Sequence, residues 1–303
     1  MTAPRVSVVI PTYNAAGYLA ETLASVAAQT FVDYEVLVCD DGSTDDTPAV
    51  AEAALRALGV SRWYVVRVNR RGAAGSRNAG IEAATGDLVA FLDDDDHWTP
   101  DKLARCVAAM DAERLDLLCH SERWRDEQGG ERVRHYSPLF DRGVPPVVSL
   151  MRNNPFSTSA VVVRRARLRE AGPFDETLPS AEDYDLWIRL ALLPGIRIGF
   201  LDEPLGTYLV RSGSESSKID RRLTALLTIG ERYAAPLAAA ARWGALERWR
   251  YQAKTYFTSG LRFAQQGSRA RGARLALLGF AMWPFRFDLV RHALRERVRR
   301  VAT

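Results

Sequence analysis

Four times within the first hundred residues, a short aliphatic run gives way to a polar turn and then to a stretch with helical spacing. The runs are Val6-Ser7-Val8-Val9-Ile10, Glu35-Val36-Leu37-Val38-Cys39, Tyr64 to Val68 and Leu88-Val89-Ala90-Phe91-Leu92. Between them, Gly17 to Thr30, Asp46 to Leu58 and Ala73 to Ala84 carry apolar residues on one helical face. Buried strands alternating with helices of this length predict βαβ units and a mainly parallel α/β sheet. Such sheets gather ligands at the carboxyl ends of their strands, so chemistry is expected in the residues that follow each run.

Further on, residues 122–146 are polar and turn-rich and read as a loop excursion or short hairpin. A strand is expected over 159–163, a helix over 182–192 and a strand over 196–201. From Leu223 the pattern is helical, over 223–242, 246–265, 269–281 and 287–301. The division expected is an α/β domain over 1–220, with halves at about 1–120 and 121–220, and a helical region over 221–303.

Composition excludes several classes. At 303 residues, 47% hydrophobic and 26% charged, the chain is neither wholly disordered nor collagenous. Cys39, Cys106 and Cys119 are too few for a disulfide framework and lack metal-ligand spacing, which points to reduced thiols and a cytoplasmic setting. The apolar run before Pro11 is too short for an export signal. The longest uncharged apolar stretch, Leu275 to Phe285, has eleven residues, against ~20 for a bilayer span.

Charge is divided unevenly. From residue 221 on, 17 basic residues face four acids; before it, 24 face 33. A basic tail on an acidic body suits an anionic partner. The bland alternative is a helical appendage with solvated arginines. Docking on an anionic membrane surface is the functional reading, with Trp283 and Phe280 in an apolar wedge and Arg291, Arg295, Arg297, Arg299 and Arg300 on a basic face. No nucleic-acid motif accompanies these arginines, so nucleic acid is not expected.

Three strand ends deliver polar groups. Pro11-Thr12-Tyr13-Asn14 follows the first strand, Asp40-Asp41-Gly42-Ser43-Thr44-Asp45 the second and Asp93-Asp94-Asp95-Asp96 the fourth. The second segment is equally a turn and helix cap. Four adjacent carboxylates repel one another unless a cation holds them, and oxygen ligands suit Mg2+ or Mn2+ carrying phosphate; the alternative is a solvated acidic loop. Arg70-Arg71-Gly72-Ala73-Ala74-Gly75-Ser76-Arg77-Asn78 opens the third helix with glycines and arginines, a pattern that favours diphosphate.

Together with Ser76-Arg77-Asn78-Ala79-Gly80 and Glu182-Asp183-Tyr184-Asp185-Leu186-Trp187-Ile188-Arg189, these segments resemble glycosyltransferase family 2, of GT-A fold, over about residues 5–210. The resemblance implies an inverting, metal-dependent transfer from a nucleotide-diphosphate sugar to a saccharide or lipid-linked saccharide acceptor in bacterial surface-polysaccharide assembly. By the same resemblance Pro11, Tyr13 and Asp41 hold the donor's base and ribose, with Arg77 near the base or diphosphate. Asp93 lies towards the ribose and Asp95 on Mn2+ or Mg2+, with Asp94 or Asp96 sharing the work if the register is one off. Asp183 matches the catalytic base.

An inverting transfer needs a carboxylate that takes the acceptor's proton, and Glu182-Asp183 at a helix start meets that need; acids countering the helix dipole are the alternative. Glu182, Trp187 and Arg211 are expected to contact acceptor or diphosphate. Many relatives carry a metal-ligating histidine where this chain has Arg211, so a degenerate, non-catalytic nucleotide- or partner-binding protein is a rival reading. A sugar nucleotidyltransferase is another, though its Gly-rich signature with a lysine after the first strand is absent. A cytoplasmic protein, peripheral on the inner membrane face, fits the first reading.

Overall fold

The computed structural model describes residues 3–210 and 218–282. It divides into two compact units. The first comprises the described residues of 3–139, 155–176 and 182–210; the second comprises 140–154, 177–181 and 218–282.

In the first unit the chain runs β1 (Val6–Thr12), α1 (Leu19–Ala27), β2 (Tyr34–Asp40), α2 (Thr47–Ala57), β3 (Trp63–Arg67), α3 (Gly72–Ala83), β4 (Leu88–Phe91) and β5 (His97–Trp98). It continues through α4 (Lys102–Ala112), β6 (Leu117–Asp126) and β7 (Glu131–Arg134). After α5 (Pro146–Arg152), which belongs to the second unit, come β8 (Val161–Arg164), α6 (Arg165–Ala171), α7 (Glu182–Ala191) and β9 (Ile198–Val210).

These strands form one sheet in the order β3-β2-β1-β4-β8-β6-β9-β5, with β7 paired to β6. From β3 to β4 every pairing is parallel. β8 then runs antiparallel to β4 and to β6, while β9 is parallel to β6. In the parallel half β1, β2 and β4 are buried on both faces as expected, while the edge strand β3 is partly exposed. Glu35, buried within β2, accepts hydrogen bonds from Ser7 Oγ at 2.6 Å and from the backbone N–H and Oγ1 of Thr85 at 2.8 Å. A Cβ on Gly80 would lie 2.4 Å from Val9 Cγ1 and 2.9 Å from Cys39 Sγ, so only glycine lets α3 lie this close to the sheet.

The half of this unit after residue 120 departs more from expectation. The hairpin within 122–146 is present as the end of β6 with β7. β9 runs nine residues past the expected end at 201, because a register irregularity beside His120 and Ser121 lets Pro204 sit inside the strand. α5, α6 and the two-residue β5 lie where no element was anticipated.

The second unit also holds α8 (Ile219–Arg232), α9 (Ala234–Ala240), α10 (Gly244–Gln265) and α11 (Arg269–Met282). The helix expected over 223–242 is two helices, since Pro236 has no N–H for the preceding turn. Ile219, Leu223 and Phe263 form one core, against Leu227, Tyr256 and Leu275. α10 and α11 approach at backbone distance: a Cβ on Gly279 would meet the Ala253 carbonyl oxygen at 2.4 Å. Trp283, Arg291, Arg295, Arg297, Arg299, Arg300 and Arg211 lie outside the described residues.

Candidate active site

At the carboxyl end of the parallel half, the turns after β1, β2 and β4 converge. Asp41 receives the backbone N–H groups of Arg71 (2.7 Å) and Gly72 (2.9 Å), capping α3 from another strand's end. Pro11 is buried in β1, and Tyr13 beyond it is 39% exposed. The Arg70 guanidinium lies 5.2 Å from the Tyr13 ring centroid and donates to its hydroxyl. Asn14 and Arg70 hold φ of 52° and 48°, left-handed values that cost non-glycine residues strain and concentrate at functional sites.

The four aspartates are not equivalent. Asp96 turns inward, 1% exposed, accepting from Ser159 Oγ at 2.6 Å and from the Leu209 N–H at 3.0 Å. Asp96 is therefore a structural tie, whereas Asp93, Asp94 and Asp95 are only partly buried. Asp94 accepts from the Tyr13 N–H at 3.4 Å, and its carboxyl is pushed up to about 7 by burial, with the charges of Asp95 and Asp93 adding to the effect. Among the described residues no three His, Cys, Asp or Glu side chains converge as a ready-made metal cage. The donor set is nevertheless all oxygen and mutually repelling, which fits Mg2+ or Mn2+ with phosphate or water completing the shell.

Arg77 is where the structure corrects the expectation of a donor contact. It is 6% exposed and lies beneath the site, Nη2 donating to Asp93 at 2.7 Å and Nη1 to Glu182 at 2.9 Å. Burial alone would weaken its charge; Asp93 and Glu182 reverse that and hold its pKa above the usual arginine value. One guanidinium thus links the acidic turn to the start of α7. Glu182 is accordingly paired inward rather than free for acceptor.

Asp183 follows Glu182, and Thr158 Oγ1 donates to it at 3.3 Å. Asp185 of the same motif is buried and bound to Arg189 at 2.9 Å, which also donates to the Gly172 and Pro173 carbonyls. Trp187 is a second correction. It is fully buried, edge-on to Phe91 at 6.2 Å, Phe156 at 5.9 Å and Phe174 at 6.3 Å, so it is core and offers no face to a sugar. Sequence reading missed Thr158 and Ser159, which hold Asp183 and Asp96; nothing in their local pattern marks them. Asn78 is explained by bonds that pin the 174–176 segment to α3, Nδ2 donating to the Phe174 carbonyl and Glu176 Oε1, both at 2.9 Å.

A profile described as Glycosyl transferase family 2 matches residues 7–172. The chain is 30% identical over 213 residues to an uncharacterized glycosyltransferase of Rickettsia conorii, covering 70% of this chain and 34% of that one. It therefore spans about a third of that relative's length. It is 28% identical over 207 residues to an Escherichia coli protein named UDP-Glc:alpha-D-GlcNAc-diphosphoundecaprenol beta-1,3-glucosyltransferase WfgD, covering 65% of this chain and 74% of that one. Its fold is similar to that of the mannosyltransferase PcManGT from Pyrobaculum calidifontis, solved with GDP-Man and Mn2+, at TM-score 0.63 and 22% identity over 97% of this chain and 85% of that one. With its GT-A fold, its acidic turn after β4 and more than half its length matched by the profile, the chain belongs to glycosyltransferase family 2.

Proposed function

We propose that this chain moves a sugar, with inversion, from a nucleotide-diphosphate donor to a saccharide or lipid-linked saccharide acceptor, and that the transfer is metal-dependent. The observation that supports the reading is the Asp93–Arg77–Glu182 bridge, which ties the acidic turn to the residue before Asp183. The names of WfgD and PcManGT, with their UDP-Glc, lipid diphosphate, GDP-Man and Mn2+, lend support to the donor and acceptor classes.

In this reading Pro11, Tyr13 and Asp41 receive the base and ribose, Asp93 lies towards the ribose with Asp94 beside it, and Asp95 holds the cation. Bound there, Mn2+ or Mg2+ would neutralise charge on the departing diphosphate. Asp183 takes the proton from the acceptor hydroxyl as its oxygen attacks the anomeric carbon and the nucleotide diphosphate leaves from the opposite face. Thr158 orients that carboxylate through the bond at 3.3 Å.

Asp183→Asn is the test: nucleotide should still raise the melting midpoint while sugar transfer disappears. Near-normal turnover in that variant would falsify the mechanism. A companion titration with UDP, GDP, dTDP and CMP, with and without Mn2+, identifies the base; saturation at ~100 times the dissociation constant adds about 2.7 kcal/mol.

No helix among the described residues is long and apolar enough to cross a membrane. A peripheral place on the inner membrane face, through the basic region after residue 220, completes the proposal. Vesicle co-sedimentation of a chain cut after Asp220 should drop below that of the full chain.

A further inference from the structure

The β6–β7 hairpin and the far half of β9 carry a row of side chains that the transfer step does not use. Register sets Arg134 opposite Glu122 and Arg132 opposite Trp124 on one side, and Tyr208 opposite Trp124 on the other. Alternation along each strand places all five on one face. The Trp124 and Tyr208 rings stack at 4.7 Å with an interplanar angle of 29°. The Arg134 guanidinium lies 4.5 Å from the Trp124 centroid and Arg132 lies 5.3 Å from it.

Arg134 is oriented by Trp124, by the Tyr136 ring at 5.5 Å and by the charge of Glu122 opposite it. Among the described residues it makes no side-chain hydrogen bond or ion pair, and its Nε is buried without a partner. The acid beneath it, Glu122, is already satisfied by Tyr136, which donates at 2.5 Å, and by Ser157 and Trp124. A guanidinium over an aromatic ring can still offer N–H groups to a ligand, and their fork matches an oxyanion. The row also begins where the acidic turn ends: Thr207 pairs with His97, and the Leu209 N–H bonds Asp96.

We propose that this face is an acceptor subsite for a saccharide bearing an oxyanion, phosphate or carboxylate, with the oxyanion on Arg134 and Arg132 and the sugar ring against Tyr208 and Trp124. The proposal rests on the glycosyltransferase reading and deepens it by naming the acceptor's charge.

Three probes sharing one hexose test it: methyl glucoside, methyl glucuronide and methyl glucoside 6-phosphate. Each is titrated by calorimetry with the donor pocket saturated by nucleoside diphosphate and Mn2+, and again without them. At least one charged probe should bind about tenfold more tightly than methyl glucoside, the size of one charge-assisted contact; which one wins separates phosphate from carboxylate. Arg134→Gln should remove the preference while the nucleotide-induced melting shift stays unchanged, and exposed Arg132→Gln serves if the first variant folds poorly. Equal affinity for all three probes, or a charge preference surviving both substitutions, overturns the subsite. A missing nucleotide shift would count against the donor reading instead, and the titrations without nucleotide still judge the subsite.

Discussion

Arg77 and Glu182 are joined at 2.9 Å across 105 residues of sequence, Nη1 donating to Oε1 from a side chain only 7% exposed. The same guanidinium binds Asp93, so one residue of α3 sets the distance between the turn after β4 and the first residue of α7. Removing one partner from a buried charge network costs about 3–5 kcal/mol. Arg77→Met is therefore expected to lower the unfolding free energy by that amount, read as a lowered urea midpoint, and to weaken nucleotide-dependent stabilisation, with Arg77→Lys recovering part of both. A midpoint for Arg77→Met equal to that of the parent chain would mean the bridge holds nothing.

Trp187 separates a core role from a sugar platform. Trp187→Ala removes a fully buried ring packed on Phe91, Phe156 and Phe174, for which about 3–5 kcal/mol is expected. Trp187→Phe keeps most of that packing and should leave the acceptor KM unchanged. A raised KM with unaltered stability would restore the acceptor role.

His120 sets a pH dependence. It is fully buried, with Nδ1 2.8 Å from the Ser121 carbonyl oxygen and Nε2 unpartnered. Burial, reinforced by the charge of Lys102, depresses its pKa from 6.5 to about 3. The folded state thus binds fewer protons than the unfolded chain, so this contribution is complete above pH 6.5 and is lost as pH falls towards 3. The stability difference between the parent and His120→Gln should shrink over that window in urea titrations. A constant difference across it would refute the assignment.

Lys102 is a buried cation without a hydrogen-bond acceptor, its Nζ 3.4 Å from the Trp98 ring centroid. Burial lowers its pKa from 10.5 to about 8. The charged form costs stability below pH 8, and that cost fades as pH rises through 8 to 10.5. The ring offsets part of it, so Lys102→Met should add about 1–2 kcal/mol at pH 7. The gain should vanish near pH 10; a loss at pH 7 would show that the cation–ring contact outweighs desolvation.

β1, β2 and β4 were legible because they are buried on both faces, and a doubly buried strand spells a nearly unbroken aliphatic run. The acidic turn was legible for the same reason, since Asp93 begins where such a run stops. Which aspartate turns inward was not, because four identical residues differ only in partners such as Ser159 and Leu209, 63 and 113 positions away from Asp96. Arg77 and Trp187 were misread on similar grounds: a residue inside a functional motif can serve the motif from below. β9 was cut short at Leu201 because Asp202-Glu203-Pro204 has the composition of a turn, and only the irregularity opposite Ser121 keeps the ladder going.

β7 supplies Arg132 and Arg134 while pairing, among the described residues, with β6 alone. A strand joined to the sheet by a single neighbour can be rewritten without disturbing β3-β2-β1-β4. With the proposed subsite on this hairpin, acceptor choice and donor chemistry would be separately heritable: a gene could exchange a few codons there, acquire a different clientele, and keep its engine.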